Sequence, residues 1–197
     1  MADSFDTPPD TLYRRFETAL TGVGGACHRV ADIPFAAGAI ENIMGGADEA
    51  IWAAPQVNET LPDLIETLQV AGVTVRYPES AAQVRDQAFG LSVARQAIAE
   101  TGSVVLVERE LTDRSVGLVT ETHIVVCALD DLAASLDDAG ATLAAVGASR
   151  GSYATLVTGP SRTADIERQL TVGVQGPARL HVIFIELPRN PARPDRQ

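Results

Sequence analysis

Thr155-Leu156-Val157-Thr158-Gly159-Pro160-Ser161-Arg162-Thr163-Ala164-Asp165-Ile166-Glu167 reads as the end of a β-strand, a tight loop and the first turn of a helix. Residues 153–157 are apolar and β-prone, and Gly159-Pro160 breaks the strand. Ser161 or Thr163 is placed to cap a short helix carrying Asp165, Ile166 and Glu167. Such a loop turns backbone N–H groups outward beyond the carboxyl end of a strand, where ligands bind in open α/β sheets. Free N–H groups at a helix start favour an anion, and Arg162 adds a planar fork matched to carboxylate or phosphate. The same residues also suit an ordinary strand-to-helix turn with Arg162 in solvent, and spacing alone leaves both readings open.

Upstream, helical and strand-like patterns alternate. Residues 11–20 and 36–44 have helical spacing, 27–30 and 49–54 read as strands, 60–71 as an amphipathic helix on Leu61, Leu64, Ile65 and Leu68, and 73–77 as a strand. This alternation predicts βαβ units and a mostly parallel sheet. Residues 80–89 continue helically, Gly90-Leu91-Ser92 interrupts, and 93–99 read as a short helix before a strand at 103–107. The polar segment 108–122 is expected to be an exposed loop or flap. A strand at 123–128 then precedes a helix over 129–146 with Leu132, Leu136 and Leu143 inward. Residues 168–174 fit strand or helix, and 180–187 form the last strand. The expected organisation is a flexible lead at 1–10, one domain over 11–187 and a disordered tail at 188–197.

The 197 residues carry 26 acidic against 15 basic side chains, a net charge of −11, which argues against nucleic acid or an anionic membrane as partner. Every basic residue is Arg, so a lysine Schiff base and a P-loop lysine are excluded. The start lacks a basic and apolar leader and no apolar run is long enough to span a bilayer, which predicts a cytoplasmic protein. Cys27 and Cys127 are too few for a four-thiolate cluster and read as small buried hydrophobes. His28, His123 and His181 have no nearby carboxylate at ligand spacing, so no metal site is expected, and no cofactor is assigned to this chain.

Glu100-Thr101-Gly102 stands just before a buried strand, where glycine permits close approach of a ligand or another backbone. Glu100 there suits a nucleophile, a base or a hydrogen-bond acceptor, or simply a partner for an Arg or a helix end. His181, near Gly176-Pro177, reads as a side chain at a ligand mouth or a satisfied half-core histidine. Gly22-x-Gly24-Gly25 follows a helix and lacks the third glycine of a dinucleotide fingerprint.

Three segments together resemble the LUD-domain family, in particular its lactate-utilisation C branch. They are Gly90-Leu91-Ser92 through Ile98-Ala99-Glu100-Thr101-Gly102-Ser103, Thr158-Gly159-Pro160-Ser161-Arg162-Thr163-Ala164-Asp165-Ile166-Glu167, and Gly173-Val174-Gln175-Gly176-Pro177 through Leu180-His181-Val182. The resemblance implies a three-layer α/β fold like the NagB/RpiA/CoA-transferase group, with a mostly parallel or mixed sheet flanked by helices. It implies an accessory role in oxidising L-lactate to pyruvate, with the iron–sulfur clusters carried by partner proteins and a small anionic metabolite as ligand. Family loops map onto Glu100 as a candidate catalytic residue and onto Thr101, Gly102, Gly159, Ser161, Arg162, Thr163 and Asp165 as candidate ligand contacts, with His181 beside them. A stand-alone CoA-transferase-like or cyclo-ligase-like enzyme using Glu100, or a ligand-binding regulatory module, are the alternatives. Gln175 stands where the family pattern usually has His, which keeps a hydrogen bond and loses a titratable group.

Overall fold

The computed structural model describes residues 8–148, 153–163, 171–173 and 176–187. Helix α1 (Pro9–Gly22) leads into strand β1 (Ala26–Val30), followed by α2 (Ile33–Met44), β2 (Ile51–Ala53), α3 (Pro55–Thr60), α4 (Pro62–Val70), β3 (Val75–Arg76), α5 (Ala81–Val84) and β4 (Phe89–Val93). Then come β5 (Gln96–Ile98), β6 (Ser103–Glu108), α6 (Leu111–Val119), β7 (Thr122–Ala128), a 3-10 turn (Leu129–Asp131) and β8 (Leu132–Ala133). Helix α7 (Gly140–Ala148), β9 (Tyr153–Val157), β10 (Arg162–Thr163), β11 (Thr171–Val172) and β12 (Arg179–Ile185) complete the described elements.

Six strands form one parallel sheet in the order β1-β12-β7-β4-β2-β3. Alternation along β12 divides the core. Leu180, Val182 and Phe184 join Phe16 and Leu20 of α1, while Ile183 and Ile185 join Ile40 of α2 and Leu64 and Leu68 of α4. Burying each such side chain contributes roughly 1.5–3 kcal/mol. Four further strands, β8-β5-β6-β9, make a second, mixed sheet whose inner residues Ala97, Val104 and Leu106 pack on the α1 side of the first. The expected α/β architecture with a mostly parallel sheet between helical layers is therefore what the chain adopts.

Several expectations need correction. Gly90-Leu91-Ser92 is the middle of β4, not a break between helices: Phe89 and Leu91 are buried in the core, and Gly90 is small because α6 lies over it, with Val116 O at 2.5 Å from where a Cβ would stand. Residues 96–98 are the strand β5, antiparallel to β6, since an apolar run this short pairs readily when a partner edge is present. The polar segment 108–122 contains α6. Its start is a reciprocal cap, the Glu110 side chain accepting from the backbone N–H of Asp113 and the Asp113 carboxylate accepting from Glu110 N at 3.2 Å. Residues 129–146 are not one helix. Asp138 accepts from Ser135 N (3.0 Å) and Ser135 Oγ (2.7 Å), closing a turn before α7, so Leu132 is buried but Leu136 is 44% exposed. Arg162 and Thr163 lie in β10, paired with β11, rather than in a tight loop capping a helix. The helix expected over Asp165, Ile166 and Glu167 lies outside the described residues, as do Gln175, residues 1–7 and the tail.

Candidate functional site

The chain's three family-like segments meet at the end of α1. Gly102 packs so closely on the Ala19–Leu20 backbone that a Cβ there would overlap it. Gly159 packs on Val23, where its Cβ would lie 2.9 Å from a Val23 methyl, and Gly176 packs on Ser161, where its Cβ would lie 3.0 Å from the Ser161 Cβ. A chain of hydroxyls closes the joint: Thr101 Oγ1 lies 2.7 Å from Ser103 Oγ, which lies 2.5 Å from Thr158 Oγ1. The exposed Arg162 guanidinium donates through Nη2 to Val23 O. One of its five donors is thereby spent on holding the loop to α1.

Other groups at the joint are committed to the loops themselves. Ser161 N donates to Pro177 O (2.8 Å), and Ser161 O accepts from Gly173 N (2.9 Å). Glu100 points to the far turn, its Oε2 accepting from Leu136 N at 3.1 Å. The structure thus brings Thr101, Gly102, Gly159, Ser161 and Arg162 together, with Thr163 beside Arg162 in β10, while the Glu100 carboxylate serves the turn before α7. Asp165 lies outside the described residues.

The position of the joint differs from the reasoning that pointed to it. β9 is not a strand of the parallel sheet but an edge strand antiparallel to β6. Its carboxyl end therefore reaches the beginning of β1 and the Pro177 loop before β12, which is the amino edge of the parallel sheet. His181 also lies toward that edge. Its Nδ1 meets His28 Nε2 at 3.1 Å, with the rings stacked 5.5 Å apart. Burial, followed by the neighbouring His28 and Arg179 charges, pushes His181 down to about 4, and burial lowers His28. Both shifts favour the neutral ring, so His181 offers a hydrogen bond rather than a cation to an anion.

The carboxyl edge holds a second polar cluster, built partly from the 108–122 segment expected to be an exposed loop. Gln56, just after β2, donates through Nε2 to Asp113 Oδ2 at 2.6 Å. Arg114, next on α6, lies 4.1 Å over the Tyr153 ring. Tyr153 is the cross-strand partner of Glu108. Glu108 is 5% exposed and accepts from Thr155 Oγ1 at 3.2 Å. Burial raises the Glu108 carboxyl above the ordinary range; Thr155 and Arg114 oppose the rise and Asp113 adds to it. The signal available in the sequence was Glu110-x-x-Asp113, a helix-start pattern that places Arg114 at the fourth helical position, directly after the capping Asp113.

His123, fully buried on β7, lies against Gly117 of α6 and shares a 3.0 Å hydrogen bond with Ser92 Oγ. Burial pushes it down to about 4, consistent with a neutral structural imidazole. At the amino edge, a groove lined by Glu49, Asp86, Glu121 and Arg76 is acidic and unsuited to a carboxylate. Among the described residues, no three His, Cys, Asp or Glu side chains gather as metal ligands, and no helix is long and apolar enough to cross a membrane.

The LUD domain family model matches residues 13–185. A protein named lactate utilization protein C from Halalkalibacterium halodurans is 30% identical over 156 residues, covering 75% of this chain and 68% of that protein. Proteins of the same name from Macrococcus caseolyticus and Bacillus licheniformis are 32% and 35% identical over 53% and 50% of this chain. The matches span 47% and 42% of those two relatives, under half their length. The crystal structure of a DUF162 family protein from Deinococcus radiodurans superimposes with a TM-score of 0.68, covering 91% of this chain and 99% of that one at 23% identity, a likeness of fold.

Proposed function

This chain belongs to the LUD-domain family, and from that membership we propose that it serves lactate utilisation as a cytoplasmic accessory protein. In this reading it acts with iron–sulfur partner proteins that carry the redox centres, and it holds a small carboxylate metabolite at the α1 joint. The supporting observation is that the three family-like segments, remote in sequence, are tied together there through the contacts of Gly102, Gly159 and Gly176 and the Ser103–Thr158 hydroxyl pair. Arg162 stands exposed at that joint with guanidinium donors beyond the one given to Val23 O, so it suits the carboxylate contact. Two cysteines, a hundred positions apart in sequence, are too few to hold a four-thiolate cluster, which fits iron carried by the partners.

Affinity purification of the tagged chain from its native host grown on L-lactate, with iron measured in the eluate, tests the reading. Iron eluting in proportion to co-purified partner chains supports it. The chain eluting alone and free of iron contradicts it.

A further inference from the structure

We propose that Arg114, Gln56 and Glu108 form a binding site for a small hydroxycarboxylic acid at the carboxyl edge of the parallel sheet, separate from the α1 joint. The ligand class is that of the proposed function, but the site stands on its own residues. The Arg114 guanidinium carbon lies 4.1 Å from the Tyr153 ring centroid, a cation–π contact that does not use up its N–H donors. Its Nε is shielded from solvent and has no hydrogen-bond partner among the described residues. Leaving such a donor shielded and unpaired is costly, so an acceptor belongs there.

Gln56 asks for the opposite group. Its Nε2 must face the Asp113 carboxylate, because that oxygen only accepts, and this fixes the amide orientation. The Gln56 Oε1 is then shielded and without a partner among the described residues, and calls for a donor. A molecule with a carboxylate for Arg114 and a hydroxyl for Gln56 supplies both. The location agrees with the general placement of ligands at the carboxyl edge of parallel sheets.

Glu108 sets the charge condition. The groups facing it are Asp113 and Arg114 from α6 and Tyr153 and Thr155 from β9, with Gln56 of α3 beyond Asp113. An ionised Glu108 repels a ligand carboxylate, whereas a protonated one donates a hydrogen bond. Its pKa is raised by burial, so it takes up a proton at a higher pH than an ordinary carboxyl, and binding tightens as pH falls.

The test is a chemical-shift titration of the 15N-labelled full chain with sodium L-lactate, and with sodium propanoate as the analogue lacking the hydroxyl, at pH 7 and pH 5.5. Expected are saturable shifts at the Gln56 side-chain amide, Tyr153 and Thr155. L-lactate should bind more tightly than propanoate, and more tightly at pH 5.5 than at pH 7. Arg114→Ala should weaken binding by roughly tenfold or more, the loss of a charge-assisted hydrogen bond. Glu108→Gln should abolish the pH dependence, and Arg162→Ala should leave these shifts unchanged. If Arg114→Ala fails to fold, the pH dependence in wild type and its loss in Glu108→Gln decide. Shifts confined to Val23 and Arg162 would overturn this site and leave the α1-joint reading standing. Absence of shifts anywhere would overturn both, and lactate shifts at Tyr153 unchanged in Arg114→Ala would overturn this site alone.

Discussion

Ser103 Oγ and Thr158 Oγ1 lie 2.5 Å apart although 55 positions separate them in the chain. Through Thr101 the same hydroxyl chain reaches the Gly102 turn, so two loops of different strands are held as one unit. Removing either hydroxyl should cost about 1 kcal/mol, the usual contribution of one hydrogen bond. A double-mutant cycle of Ser103→Ala and Thr158→Val, read by denaturant unfolding, should give a coupling energy of at least ~0.5 kcal/mol. Strict additivity would show that the pair does not hold the loops together.

Gly102 has φ +66° and no room for a side chain against Leu20. Gly102→Ala combines backbone strain with a clash against helix backbone, which cannot yield like a side chain. Stability should fall by roughly 2 kcal/mol or more. Thermal unfolding measures this, and an unchanged Tm would mean the turn does not seat on α1 as described.

Gly117 is the point where α6 rides over β7. A Cβ there would stand 2.7 Å from the His123 ring. Gly117→Ala should destabilise by about 1–3 kcal/mol through overpacking, despite alanine's better helix propensity. Should Gly117→Ala stabilise the chain, as propensity alone predicts, the α6–β7 contact would be looser than described.

Acid should weaken the fold through its histidines. His123 and His181 are each held down to about 4 by burial, and His28 is lowered by burial as well. An unfolded histidine titrates near 6.5. Their stabilising contribution is fully present above that value and is lost as pH falls from about 6.5 toward 4, because the unfolded state takes up the protons first. Tm should decline across that window, and His181→Gln should flatten part of the decline. A pH-independent Tm between 7 and 4.5 would contradict the burial of these rings.

Much of this architecture was legible from periodicity. Helices on Phe16 and Leu20, and on Leu64, Ile65 and Leu68, announce themselves by 3.6-residue spacing. β7 and β12 do so as continuous apolar runs, as strands buried on both faces must. The four-stranded sheet was not legible in the same way. β5 and β8 have three and two residues and no pattern of their own; β5 is a strand because β6 offers an edge, and β8 because β5 in turn offers one. β4 was hidden because Gly90 and Ser92 are small to accommodate α6 and His123, a tertiary requirement that no local window carries. The same oversight moved the loop around Arg162. The residues 153–157 read correctly as a strand, but direction is set by pairing, and pairing with β6 turned the loop toward the amino edge. The meeting of the Glu100–Ser103 and Thr158–Arg162 loops was readable only through their joint family resemblance. The Arg114 cluster was missed because its members come from β2–α3, β6, α6 and β9.

The proposed role in lactate utilisation is tested most directly in cells. The native host lacking this chain should be given L-lactate as sole carbon source, and its rate of lactate consumption measured with and without the gene restored. Consumption should collapse in the deletion strain, return with the wild-type chain, and return only weakly with Arg162→Ala. Lactate consumption at the parental rate in the deletion strain would contradict the account.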